Sequence, residues 1–131
     1  MLNWRGKGVI LTAVTLLALA FSCRPAAAGE TNLTGTWACD DGGTYYLRQV
    51  GDRVWWLGKS GNDGQDWTNV LHGTIRGREV VGDWADVPQG GAANSGQLTL
   101  RLVVRDGRVV EIEKRRQVGD GFGGGVWRRL E

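Results

Sequence analysis

From residue 33 onward, apolar and polar positions alternate with a period of two, and no stretch holds a helical period beyond one turn. The clearest run is 97–104, where Leu98, Leu100, Leu102 and Val104 share one face while Thr99, Arg101 and Val103 share the other. After it, Val110 and Ile112 alternate with Glu111 and Glu113. Between turn residues the chain is rich in Val, Trp, Tyr and Thr, the side chains that suit a pleated, half-buried surface. The pattern predicts eight strands: 33–39, 44–50, 53–59, 67–75, 79–86, 97–104, 108–116 and 126–130. Gly51-Asp52, Arg76-Gly77 and Asp106-Gly107 are tight two-residue turns, the last a type I′ signal because both positions need positive φ. They alternate strictly with the longer connections 40–43, 60–66, 87–96 and 117–125. In an up-and-down meander, alternate connections fall at the same end, so hairpins close one end and longer loops ring the other. An all-β, eight-stranded antiparallel up-and-down barrel removes the exposed edges, and its interior holds packed side chains or one small ligand.

The phase of each strand names what points inward. If the leucines of 97–104 face the interior, so do Leu33, Gly35, Trp37 and Cys39, then Trp67, Asn69 and Leu71, then Val80, Gly82, Trp84 and Asp86. Strand 44–50 turns Tyr45 and Leu47 in; the last strand turns Val126, Arg128 and Leu130 in; Trp55 and Trp56 compete for the inner face of 53–59. The loop end is then ringed by Tyr45, Trp67, Asn69, Trp84 and Asp86, with Lys114 within reach. Aromatic walls with a few convergent polar groups are the usual make-up of a small-molecule site. The competing reading is that these tryptophans fill a small core.

The first 28 residues change the charge. They hold Arg5, Lys7 and Arg24 and no acidic group, so without them the chain's 16 basic and 14 acidic residues become 13 and 14, a net of −1. That removes the electrostatic case for nucleic acid. The basic start, the apolar run 9–22 and Ala26-Ala27-Ala28 predict a signal peptide cleaved after Ala28, an exported domain over 29–131, and no stable transmembrane anchor, since fourteen residues are too few to span a bilayer. The alternative is lipidation at Cys23, in Ala20-Phe21-Ser22-Cys23. Either route leaves Cys39 without an intramolecular partner, as a small buried hydrophobe.

Other chemistry fails on context. Gly119-x-Gly121-x-x-Gly124 matches a dinucleotide fingerprint but lies between two strands with no helix to receive a pyrophosphate, and reads as a flexible hairpin. Residues 62–66 resemble half of a calcium loop, but Val70 stands where the bidentate Glu belongs. A looser calcium site on Asp40, Asp41 or Asp66 is the alternative to solvated carboxylates. His72, the one histidine outside any cluster, falls on the outer face. No catalysis, metal or cofactor is expected.

Leu33-Thr34-Gly35-Thr36-Trp37 resembles the Gly-x-Trp opening of the calycin barrels, which include lipocalins, fatty-acid-binding proteins and avidins. The resemblance implies that Gly35 and Trp37 close the barrel base and that an Arg of the last strand, Arg128, or failing that Arg129, packs across the Trp. Asp40-Asp41-Gly42 after the opening is similar to an avidin start, but Cys39 and Gly43 stand where avidins hold the biotin ureido ring. Size, export and the same opening also resemble periplasmic inhibitors of bacterial metalloproteases, whose N-terminal segment enters the protease; 29–32 would be its counterpart. Three functions follow as expectations: a non-catalytic binder of a small molecule or glycan at the loop end, a protein-binding inhibitor, and a structural envelope protein, lipidated or not.

Overall fold

The computed structural model describes residues 31–130; the expected leader and cleavage after Ala28, Cys23 and Gly29-Glu30 lie outside them. Eight antiparallel strands follow one another around a closed barrel: β1 (Gly35–Cys39), β2 (Thr44–Val50), β3 (Arg53–Lys59), β4 (Thr68–Arg76), β5 (Glu79–Asp86), β6 (Ser95–Arg105), β7 (Arg108–Val118) and β8 (Val126–Arg129). β8 returns to pair with β1, Trp37 opposite Arg129 and Cys39 opposite Trp127, so no edge is left open. Asp106 (φ 50°) and Gly107 (φ 72°) both adopt the left-handed conformation the type I′ hairpin demands. The β4–β5 hairpin turns one residue later than expected, on Gly77-Arg78, because Arg76 pairs with Glu79.

The interior follows the expected phase over most of the barrel. Leu33, Trp37 and Cys39, Tyr45 and Leu47, Asn69 and Leu71, Val80 and Trp84, and the three leucines of β6 are all buried. On β3 the competition is settled for Trp56, which is buried, while Trp55 is 43 % exposed.

Two strands depart from the expected phase. In β7 the buried residues are Val109 and Ile112, not Val110 and Ile112. The pairing slips between Val103 and Val104, and Val110 is the extra residue, a β-bulge that reverses which face the strand presents. β8 runs with Trp127 inward, and Arg128 points out to ion-pair with Glu111 at 3.0 Å. A four-residue strand with adjacent apolar residues carries no clear alternation, and burying an indole outweighs burying the neighbouring Val126.

Arg128 therefore does not close the base; Arg129 does. Its guanidinium lies 4.4 Å from the centre of the Trp37 ring and donates to the carbonyl oxygens of Val109, Thr34 and Asn32. Gly35, at φ 144°, leaves the space: a Cβ there would stand 3.2 Å from the guanidinium. Trp37 Nε1 donates to Leu33 O at 3.0 Å, and the Leu33 N–H donates to Gln49. Burial of Arg129 pulls its pKa below the ordinary arginine value, with Arg108 adding repulsion.

Candidate functional site

The five residues expected at the loop end meet there. Tyr45, Trp67, Asn69, Trp84 and Asp86 line one cavity of about 170 Å³, together with Asp41, Ala92 and the loop 121–123. Tyr45, Asn69 and Trp84 are its buried part, whereas Trp67 and Asp86 are half-buried at its rim.

The sequence positions these groups through a chain of donors and acceptors. After β1 the chain turns at once, and Asp41 accepts the Gly43 N–H at 2.8 Å through Oδ1 and the Tyr45 hydroxyl at 2.6 Å through Oδ2. Asn69 Oδ1 accepts the Trp56 indole N–H at 2.9 Å. Gly58 leaves room for Tyr45 and Asn69: a Cβ there would come within 2.5 Å of the Tyr45 ring and 2.6 Å of Asn69 Oδ1. Asp86 Oδ2 accepts the Asn94 N–H at 2.9 Å, anchoring the start of β6 to the end of β5.

Below the cavity the barrel is filled. Tyr45 packs edge-on against Trp56 and Trp127, with ring centres 5.2 and 5.6 Å apart, and Trp56 lies 5.4 Å from Trp127. Phe122 descends from the β7–β8 loop onto this cluster, 4.8 Å from Trp84 and 5.9 Å from Trp127. Most of the interior is thus packed core, and a small cavity remains at the loop end. The indole N–H groups of Trp84 and Trp127 have no acceptor among the described residues. Each such buried orphan costs about 1–3 kcal/mol.

Phe122 was not foreseen, and its loop is no loose hairpin. Lys114 donates to Phe122 O and Gln117 and stands 5.5 Å from the Phe122 ring, so it holds this loop rather than lining the cavity. Asp40 accepts the Gly125 N–H at 2.8 Å, which holds its carboxyl below the ordinary value. The available signal was a single large apolar residue inside a run of glycines, 119–125.

Burial raises the Tyr45 phenol well above its ordinary pKa, with the Asp41 carboxylate adding to the effect. Burial likewise raises the Cys39 thiol, and nearby Asp40 and Asp41 repel the thiolate. Cys39 is free and buried, an inert thiol. Among the described residues no cluster of three His, Cys, Asp or Glu could hold a metal. The 60–67 loop instead closes on itself, with Ser60 and Asn62 accepting the Asp66 N–H and Lys59 paired to Asp63.

A second, larger recess lies outside the barrel. Tyr46, Trp55, Leu57, Val70 and His72 border an open groove of about 530 Å³ on the outer face of β2–β5. His72, outward as expected, stacks on Trp55 with ring centres 4.9 Å apart.

No protein-family model matches the chain, and no curated protein or solved structure matches it either.

Proposed function

We propose that the protein is a non-catalytic binding protein that takes a small molecule, or one ring of a glycan, into the cavity at the loop end. The observation that carries this reading is the convergence of Trp67, Trp84 and Tyr45 with Asn69, Asp41 and Asp86 on a single small cavity. About 170 Å³ is below the ~300 Å³ at which drug-sized pockets begin, so the occupant is small. No Lys or Arg lines the cavity, whereas two carboxylates do. The matching ligand carries hydrogen-bond donors, as a hydroxylated ring or a small amine does, and offers a flat face to Trp67. Export and release by signal peptidase complete the proposal and rest on the leader's pattern.

The inhibitor reading would use the opposite end of the barrel. There Arg129 grips the Asn32 carbonyl and Gln49 the Leu33 amide, which leaves little free segment among the described residues. The loop-end cavity is therefore the favoured site.

Intrinsic tryptophan fluorescence, titrated with panels of monosaccharides and small amines, tests the reading. A saturable shift for one class, lost in Trp67→Ala and weakened in Asp86→Asn, is the expected result. A flat response to every panel would refute it.

A further inference from the structure

The outer face of β2–β5 carries most of the barrel's exposed apolar bulk. Of the nine large hydrophobic residues exposed among the described residues, six lie on it: Tyr46, Val50, Trp55, Leu57, Val70 and Val81. Apolar groups gathered in this way, rather than scattered singly, mark an interaction surface.

The strand register orders this face into three rows that cross the four strands. The middle row reads Arg48, Trp55, His72, Asp83 from β2 to β5. The row nearer the loop end reads Tyr46, Leu57, Val70, Ala85, and the row nearer the hairpin end reads Val50, Arg53, Thr74, Val81. A two-fold axis parallel to the strands, passing between β3 and β4, would lay β2 on a partner's β5 and β3 on its β4. Under that operation the Arg48 cation meets the partner's Asp83 carboxylate, and the partner's Arg48 meets Asp83. Trp55 meets the partner's His72, Leu57 meets the partner's Val70, and Val50 meets the partner's Val81. The largest ring of the loop-side row, Tyr46, falls opposite the smallest side chain, Ala85. An isologous interface requires this kind of pairing, in which residue i meets j and j meets i.

The charges need a partner as well. Arg48 makes no ion pair among the described residues, and Asp83 has only a long contact, 3.4 Å, from the Gln97 amide. Arg48 and Asp83 stand on the two outer strands of this face and border the groove from opposite sides, so there is a gap to cross between copies. The long Arg48 side chain is suited to spanning that gap at the rim.

We infer that the outer face of β2–β5 is a self-complementary interface through which two copies of this chain form a symmetric dimer, with Arg48 and Asp83 setting its register.

Charge reversal tests this on the purified protein, with analytical ultracentrifugation as the readout. The unaltered protein is expected to sediment as a dimer in a concentration-dependent manner. Arg48→Asp alone and Asp83→Arg alone each place like charges together at both ends of the middle row and should weaken association by about tenfold or more. Both positions are on the solvent face, so circular dichroism should stay unchanged. An equimolar mixture of the two variants should dimerise again, because each copy now offers what the other lacks; a fold defect would not be repaired in this way. A protein that stays monomeric at every concentration, a dimer indifferent to both reversals, or a mixture that fails to reassociate would each overturn the inference. A monomer that binds small molecules in the groove would assign that face to a ligand.

Discussion

The two ends of this barrel are both closed by large side chains, yet by different means. At the hairpin end the closing groups come from strands: Trp37 from β1 and Arg129 from β8, directly paired across the seam. At the loop end the stopper is Phe122, carried by a glycine-rich connection, and it leaves a cavity lined by polar groups beside it. A strand-borne plug is fixed by the sheet's own hydrogen bonds. A loop-borne plug is held by what the loop can reach, here hydrogen bonds to Lys114 and Asp40 and the packing of Phe122 on Trp84 and Trp127. One closure is therefore built into the sheet, and the other rests on a connection between strands.

The largest effect should come from the hairpin end. Trp37→Ala removes a fully buried indole and the platform for Arg129, and should destabilise the barrel by about 3–5 kcal/mol in urea denaturation. Phe122→Ala should cost less, about 1–3 kcal/mol, because a loop can settle into the space while sheet residues cannot. In hydrogen exchange it should raise the rates of amides in 119–125 and leave those around Trp37 protected. Equal costs for the two truncations would show that the loop-borne stopper is fixed as firmly as the strand-borne one.

At neutral pH the smallest effect comes from two buried protons, which matter only in alkali. In the folded barrel Tyr45 and Cys39 hold their protons above their ordinary pKa values, chiefly through burial. The unfolded chain releases these protons in the ordinary thiol and phenol range, so the stabilising contribution is complete below that range and is lost as pH climbs from it toward the raised folded values. Each group should contribute a fall of up to about 1.4 kcal/mol per pH unit. Tyr45→Phe should flatten the decline above about pH 10, the ordinary phenol value, whatever its effect on stability at neutral pH. An unchanged slope would show that the loop end does not hold that proton.

Strand positions and barrel closure were legible because turn chemistry and period-two alternation agreed along most of the chain. The residues around the loop-end cavity followed from phase alone: once the β6 leucines faced inward, Tyr45, Trp67, Asn69, Trp84 and Asp86 had to approach the loop end. Legibility failed where alternation did. β8 is short and begins with Val126 and Trp127 together, so the guess for Arg128 belonged to Arg129. The β7 bulge adds a residue that no periodicity announces. Phe122 sits in a segment without period, and only its packing against Trp84 and Trp127 explains its burial. The outer rows were invisible for a different reason. Their complementarity depends on which residues stand side by side across four strands, and that is set by register rather than by any single stretch of chain.

The closed eight-strand meander has a topological consequence. Because eight strands alternate in direction, both ends of the described chain emerge on the hairpin side, where Arg129 ties Thr34 and Asn32 to the end of β8, away from Trp67 and Asp86. A tether at either end, to a surface, a bead or a fused domain, would therefore present the mouth to solution rather than cover it.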